Sequence, residues 1–156
     1  GADPNKNDNG RYCLPPLAHC IQVNDFKAFC ILLEYKCDYN KASRDERISS
    51  YMKIGKLNEG NTPLMVACWH GQKKYVEKLC ELPEISLNQQ DSNGYTALIK
   101  CVVQRYKRKI EGKKYKTYED LYYYLLKKGA DPLIRDRNNQ TVQDWWKKAD
   151  KLEAAE

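Results

Sequence analysis

The sequence predicts an all-α solenoid in which short pairs of helices stack side by side. The segment 62–68 (TPLMVAC) recurs in altered form at 96–102 (TALIKCV), and the two threonines that begin these segments are 34 residues apart. A repeat of about 33 residues is typical of supersecondary units that bury their apolar faces only against a neighbouring unit. Such arrays mostly present surfaces for recognition and seldom enclose catalytic clefts.

Composition supports a folded chain and argues against several classes of protein. Of the 156 residues, 42% are hydrophobic and 31% are charged, which argues against disorder. No apolar run approaches the roughly 20 residues of a membrane-spanning helix. The seven cysteines contain no Cys-x-x-Cys pair, and their odd number does not suit a secreted disulfide framework. We therefore expect an intracellular protein, cytoplasmic or nuclear, with no bound metal.

The best-formed unit has a clear start and end for its first helix. Thr62 is placed to accept hydrogen bonds from the free backbone amides of the first turn, and Pro63 is tolerated there because its missing N–H would be unpaired. Gly71 suits the left-handed residue that ends a helix. The second helix carries an apolar stripe of Tyr75, Val76, Leu79 and Cys80.

These residues resemble the ankyrin repeat. The family pattern has a turn with Gly-x-Thr-Pro-Leu-His, a short helix, a glycine, a second helix ending in Leu-Leu, and then Gly-Ala-Asp. The turn is matched at 60–64 and 94–98, the Leu-Leu pair at 32–33 and 125–126, and the Gly-Ala-Asp tail at 129–131. The resemblance implies an ankyrin-repeat α-solenoid along nearly the whole chain.

The register divides residues 1–156, taken as one domain, into consecutive units. We expect the tail of a preceding repeat at 1–5 and a C-terminal capping repeat at 136–156. Between them lie a repeat at 6–41, an insertion at 42–57, a repeat at 58–90, and a repeat at 91–135 with a basic insertion at about 105–116. The insertions follow from the steps between successive proline positions, which are 47, 34 and 45 residues.

Two departures from the family pattern concern the turns and the helix ends. In the family a histidine after the leucine ties the turn by hydrogen bonds. The corresponding positions here carry Ala18, Met65, Ile99 and Asp144. Other groups must therefore hold these turns. Arg105 stands where a glycine should end the first helix, which fits either a longer helix or a loop that leaves the stack.

Most cysteines fall at positions that the register buries. We expect packed core thiols at Cys20, Cys37, Cys68, Cys80 and Cys101. Cys13 and Cys30 are the candidates for exposed thiols, with no pattern that supports a reactive role.

Residues 105–116 are the most strongly charged segment. Seven basic residues and one acidic residue give it a net charge of +6, which equals that of the whole chain, so the remainder sums to zero. Three interpretations stay open: a solvated loop, a finger that binds an acidic protein surface, and a contact for the phosphates of nucleic acid or anionic lipid. The side chains expected to contact a partner are Arg105, Lys107, Arg108, Lys109, Lys113 and Lys114.

The resemblance also implies a concave binding face formed by the turns and the first helices. Trp69 and His70 fall on this face, and tryptophan is a frequent anchor of protein interfaces. Packing of Trp69 against a neighbouring helix is an equally open alternative. Further residues expected on the face are Asn58, Glu59, Asn61, Ser92, Asn93, Tyr95, Val103 and Gln104. A catalytic role for His70 is disfavoured, because no nucleophile motif accompanies it.

Two aromatic runs lie near the C-terminus. Adjacent residues on a helix point about 100° apart, so one of Trp145 and Trp146 covers the stack and the second is a minor interface candidate. The register directs a first set of side chains to the core: Tyr118, Leu121, Tyr122, Leu125 and Leu126. It directs Tyr123 and Tyr124 to solvent.

Together these observations predict a non-enzymatic protein–protein interaction module, part of an intracellular scaffold or regulator, that uses no cofactor. The alternative function is binding of nucleic acid or anionic lipid through 105–116. An enzyme is disfavoured because the sequence has no glycine-rich phosphate loop, metal-ligand spacing or nucleophile–base pair.

Overall fold

The computed structural model describes residues 3–6, 15–43 and 60–154. Within these ranges the regular secondary structure consists of α-helices, without a β-strand. The helices are α1 (Pro16–Gln22), α2 (Phe26–Glu34), α3 (Pro63–Trp69), α4 (Lys73–Cys80), α5 (Ala97–Ile110), α6 (Lys116–Lys127) and α7 (Val142–Ala154).

The helices form two rows. The first helices of successive units, α1, α3, α5 and α7, contact one another in chain order. Each of α1, α3 and α5 also packs against the second helix of its own unit, α2, α4 and α6 respectively. This is the arrangement of a repeat array, in which each unit contacts mainly its neighbours. The predicted all-α repeat solenoid is confirmed.

Threonines cap three of the first helices, α3, α5 and α7, as the sequence predicts for Thr62. The hydroxyls of Thr62 and Thr96 accept hydrogen bonds from the amides three residues later, over 3.3 and 3.2 Å. Thr141 and Asp144 form a reciprocal pair at the start of α7: the Thr141 amide donates to Asp144 Oδ2 and the Asp144 amide donates to Thr141 Oγ1, over 3.0 and 3.4 Å. Each cap satisfies amides that the helix itself leaves free.

Aspartates hold the turns that precede α5 and α7. Asp91 Oδ1 accepts hydrogen bonds from the amides of Asn93 and Tyr95, both over 2.9 Å. Asp136 Oδ1 accepts the equivalent pair, from residues 138 and 140, over 2.9 and 3.0 Å. These carboxylates are the groups that stabilise the turns in place of the absent histidine, and we call them the turn aspartates.

The turn aspartates also bind the helix that follows. Nine residues after each of them stands a polar group that contacts its second oxygen: Lys100 Nζ lies 2.8 Å from Asp91 Oδ2, and Trp145 Nε1 donates to Asp136 Oδ2 over 2.9 Å. Both aspartates are buried. A buried carboxylate is stable only when its oxygens are paired, so the turn and the helix are fixed together.

In the connections between units an asparagine links each unit to the next. The Oδ1 atoms of Asn5, Asn40 and Asn88 accept hydrogen bonds from the backbone amides of residues 38, 86 and 131. The last two of these bonds measure 2.8 and 2.9 Å. We call this set the asparagine ladder. The same side chain makes the same contact at successive joints, so it sets the register between units.

The cysteines expected in the core lie in the interior, although one of them, Cys80, is only half-buried. Four are buried: Cys20, Cys37, Cys68 and Cys101. Cys80 and Cys30 are half-buried. Burial disfavours the thiolate and raises the pKa of Cys37 to about 11 and that of Cys80 to about 12. Cys13 lies outside the described residues.

The basic segment is helix along half of its length. Helix α5 continues through Ile110 and α6 begins at Lys116, so only residues 111–115 connect them. Of the two interpretations offered for Arg105, the longer helix is correct. A solvated loop fits only residues 111–115, because 105–110 belong to α5 and Lys116 begins α6.

One tyrosine was assigned to the wrong side of α6. Tyr124 is half-buried against the core, and burial raises its pKa. The expectation that it faces solvent is wrong, because α4 packs against α6 and covers that side of the helix. Tyr123 is 57% exposed, as expected.

Gly94 and Gly112 provide a matched test of the contact between successive turns. Both have positive φ, 75° and 65°, so alanine at either position loses about 1 kcal/mol from the left-handed backbone. A Cβ at Gly94 would lie 2.8 Å from the Arg137 amide nitrogen, whereas nothing lies within 4 Å of a Cβ at Gly112. We expect Gly94→Ala to lower the free energy of unfolding by roughly 3 kcal/mol and Gly112→Ala by about 1 kcal/mol. Urea denaturation of both variants measures this, and equal losses would contradict the close turn-to-turn packing.

Candidate functional site on the first-helix face

The first helices α3, α5 and α7 and the turns before them form one surface, which we call the first-helix face. Four half-buried aromatic side chains lie on it: Trp69, Tyr95, Tyr106 and Trp145. They are connected through ring contacts and through Lys100, whose ammonium lies 5.2 Å from the Trp69 ring centre and 5.7 Å from that of Tyr95. We call these four residues the aromatic row.

Trp69 has a fixed backbone and a partly open ring. Its carbonyl oxygen accepts hydrogen bonds from Gln104 Nε2 over 2.9 Å and from the Tyr118 hydroxyl over 3.3 Å. The ammonium of Lys107 lies 4.5 Å from the centre of its ring. Since three side chains of the next unit contact this one residue, a partner that binds the indole meets a preorganised group.

Lys100 is the buried charge beneath the row. It is 4% exposed and is paired with Asp91. Burial lowers the pKa of Lys100, although the Asp91 carboxylate opposes this by favouring the ammonium. Because the pair is internal, Lys100 supports the two rings above it and adds no free charge to the surface.

Trp145 carries the C-terminal end of the row. Its ring meets Tyr95 edge-on at a centroid distance of 6.2 Å and Tyr106 at 5.6 Å. The ammonium of Lys148 lies 4.7 Å from the Trp145 centroid. Edge contacts and a cation over the ring are both favourable arrangements for an indole. Trp145 thus belongs both to the packing of the last helix and to the exposed face.

Several residues that the sequence assigns to a partner-binding face lie on the first-helix face. Trp69, Tyr95 and Lys107 belong to the contacts just described, and His70 is exposed beside them. Burial on one side lowers the pKa of His70, which favours the neutral imidazole. The half-buried members are Ser92, Asn93 and Gln104.

Three other members of that set are inside the protein. Asn61 is 7% exposed. Its backbone amide donates to Ser43 Oγ, and its carbonyl oxygen accepts from the Ser43 amide. Val103 is 3% exposed and belongs to the hydrophobic core. Arg105 is 5% exposed. Their side chains are buried, which contradicts the expectation that they lie on an exposed face. Asn58 and Glu59 lie outside the described residues.

Arg105 is the centre of an ion-pair network that attaches the last helix. Its Nε donates to Glu119 over 2.7 Å and its Nη2 donates to Asp150 over 3.0 Å. The Trp146 ring centre lies 3.9 Å from the guanidinium carbon. Lys109 also bonds Asp150, over 3.2 Å. The sequence offers Arg105 as a surface contact, but its partners come from α6 and α7, which meet over this side of α5.

The remaining cations of the segment lie at the C-terminal end of α5 and in the connection to α6. Lys113 and Lys114 are exposed, and Lys113 pairs with Glu111 over 2.7 Å. Arg108 is half-buried against Tyr118, to whose hydroxyl its Nη2 donates over 3.4 Å. An exposed ion pair contributes little to stability, so Lys113 serves as a control for the residues of the row.

The sequence does not reveal Lys100, Tyr106 and Lys148 as members of the site. One signal was available: Lys100 and Trp145 stand at the same position of their units, four residues after the capping threonines at 96 and 141. Equivalent positions of successive units lie side by side in a stack. Their contact with the turn aspartates could not be read from spacing alone.

Comparison with known proteins identifies the kind of repeat. A family model described as ankyrin repeats (3 copies) matches residues 42–136. No helix in the described ranges is long and apolar enough to cross a membrane.

Three known proteins illustrate the similarity. A candidate E3 ubiquitin-protein ligase of Plasmodium falciparum is 33% identical over 108 residues, which is 64% of this chain and 1% of that protein. Ankyrin repeat and SAM domain-containing protein 6 of Rattus norvegicus is 34% identical over 87 residues, 55% of this chain and 8% of its own length. The photoreceptor ankyrin repeat protein of Homo sapiens is 48% identical over 42 residues, 27% and 9% respectively. The chain therefore covers less than a tenth of each relative.

Arg105→Met tests the role assigned to the buried guanidinium. Removing one partner from a buried ion pair leaves the other charge uncompensated, so we expect a loss of about 3 kcal/mol in the free energy of unfolding. Arg108→Met removes the same charge from the same helix at a half-buried position and should cost under about 1 kcal/mol. Chemical denaturation followed by circular dichroism measures both. If the two variants lose equal stability, Arg105 does not anchor α7.

Asp150 makes the attachment of α7 sensitive to acid. Burial would raise its pKa, but hydrogen bonds from Arg105 and Lys109 outweigh that effect and hold it below its ordinary value of 3.8. The carboxylate therefore stabilises the fold above the unfolded-state pKa, and this contribution is lost as the pH falls through the lower folded-state pKa. We expect the unfolding free energy of the wild type to fall more steeply than that of Asp150→Asn between about pH 5 and pH 3. Parallel pH profiles of the two proteins would contradict the assignment.

Proposed function

The chain belongs to the ankyrin-repeat family, and on that premise we propose that it is a non-enzymatic module of a scaffold or regulatory protein that binds a partner protein through its first-helix face. Ankyrin-repeat domains are typically non-enzymatic interaction modules. The proposal places this chain among them and names the face that it uses. Fold alone does not decide function, so the chemistry of the surface must indicate what the face binds.

The aromatic row is the single observation that carries the proposal. It places four aromatic side chains on adjacent units, joined by contacts between 5.2 and 6.2 Å. Each remains half-buried and so keeps surface available to a partner. Protein interfaces concentrate their binding energy in tryptophan, tyrosine and arginine side chains that are held rigidly and lose little entropy on binding. The row has this composition and this rigidity.

We propose Trp69 as the principal anchor. It lies beside exposed His70 and Lys107, and its backbone is held by Gln104 and Tyr118. A partner side chain that covers the indole would bury apolar area without having to order the residue first. The contact would extend toward Trp145 across the turn that precedes α5, which contributes Ser92, Asn93 and Tyr95.

Binding of nucleic acid or anionic lipid is the alternative proposal, and it depends on a different set of residues. The exposed cations at the end of α5 and in its connection to α6 would make phosphate contacts, with Lys113 and Lys114 foremost among them. Such binding weakens steeply with salt, because counterions released on binding must be regained. Deleting residues 105–116 would remove the end of α5, so point substitutions are the appropriate probes.

The test compares Trp69→Ala with Lys113→Ala in affinity capture followed by a binding titration with the captured protein. We expect Trp69→Ala to weaken binding at least about ten-fold and Lys113→Ala less than about three-fold. Titrations at low and high salt separate the two proposals, because only phosphate binding should depend strongly on both salt and Lys113.

His70→Ala provides a second probe of the same surface, since an exposed side chain is replaced with little risk to folding. Circular dichroism establishes that each variant is folded. If Trp69→Ala and His70→Ala both bind as the wild type does, the first-helix face is not the interface.

A further inference from the structure

Two lysines on the first-helix face hold their ammonium groups over indole rings. Lys107 Nζ lies 4.5 Å from the centre of the Trp69 ring, and Lys148 Nζ lies 4.7 Å from that of Trp145. Both lysines are exposed. Within the part of the chain that the structure describes, neither has a carboxylate within ion-pair distance.

Neighbouring cations differ in this respect. Lys100 is neutralised by Asp91 over 2.8 Å, and Lys109 and Arg105 share Asp150. Lys107 and Lys148 are therefore two exposed positive charges of the first-helix face that no described carboxylate neutralises, and each stands over a ring. Lys107 belongs to α5 and Lys148 to α7, which are the first helices of two adjacent units.

The indoles prepare these ammonium groups to bind an anion. A free lysine side chain loses rotamer entropy when it is fixed by a partner. A lysine that already rests on an aromatic ring loses less, because the cation–π contact restricts it before the partner arrives. The exposed side of each ammonium keeps N–H donors directed to solvent, where a carboxylate could accept them.

The occupation of the rings argues against stacked bases. Single-stranded nucleic acid is bound by aromatic faces on which the bases stack. Here Trp69 has the ammonium groups of Lys100 and Lys107 within 5.2 Å of its centre, and Trp145 has Lys148 over it and two tyrosines against it. A chain with separate point charges matches this surface better than a series of flat bases.

We propose that the partner presents an acidic peptide segment, whose aspartate or glutamate carboxylates pair with Lys107 and Lys148 as the segment crosses the aromatic row. This inference rests on the proposed function, because it assigns a chemical class to the partner of the same face. Carboxylates supply the missing counter-charges, and apolar side chains between them contact the exposed parts of Tyr95 and Tyr106.

The experiment is a selection of randomised peptides displayed on phage against the purified chain. We expect the selected peptides to be enriched in aspartate and glutamate relative to the unselected library. Selection against the Lys107→Gln/Lys148→Gln double variant should lose this enrichment. Lys78→Gln, which removes an exposed charge from α4 in the other helix row, is the matched control and should retain it.

Affinities give the quantitative form of the test. A synthetic copy of the most enriched acidic peptide should bind the double variant about ten-fold more weakly than the wild type, and a double arginine variant should retain the binding because it keeps both charges. Both substituted lysines are exposed, and thermal unfolding verifies that the variants remain folded.

The outcomes separate the two levels of the argument. If selected peptides depend on Trp69 but show no acidic enrichment, the inference is wrong and the proposed function stands. If no selected peptide depends on Trp69, the proposed function fails as well. If a single-stranded oligonucleotide binds more tightly than the acidic peptide, and does so through Lys107 and Lys148, nucleic acid replaces the acidic segment as the ligand.

Discussion

The buried carboxylates of the turn aspartates are the constraint on which the rest of the described surface depends. Each of Asp91 and Asp136 gathers two amides of its own turn through one oxygen and holds a polar group of the next helix through the other. Those polar groups, Lys100 and the Trp145 indole, support or form the aromatic row. Because an unpaired buried carboxylate is costly, turn, helix and row are stabilised as one assembly. The rigidity needed for recognition therefore comes from the same contacts that fold each unit.

Local rules predicted the parts of the fold that depend on local interactions. Thr62 and Gly71 mark the ends of α3 because capping and left-handed backbone are decided within a few residues. The repeat of 34 residues predicted that the units stack.

The candidate site was predicted less completely. Arg105 forms an ion pair with Asp150, which is 45 residues away in sequence, and no local pattern predicts such a contact. Trp69 could be proposed because its position in the repeat implies a surface, whereas Lys100 was missed because its role depends on Asp91.

The contrast between Arg105 and Lys107 shows how a basic segment is divided when it folds as a helix. The two side chains are two residues apart and point to different sides of α5. One enters the angle between α6 and α7, where Glu119, Asp150 and the Trp146 ring enclose it. The other lies over Trp69 on the exposed face. The net charge of +6 along 105–116 therefore overstates the charge that a partner meets. Part of it holds the last helix in place, and a smaller part is available for binding.

The asparagine ladder joins successive units by the same contact, although the units differ in length. The ladder bonds repeat with the same geometry at joints whose partners are 33, 46 and 43 residues apart in sequence. In the third unit the added length extends α5, which runs to Ile110. In a solenoid with such joints, an individual unit can lengthen and form contacts of its own while the joints to its neighbours stay the same.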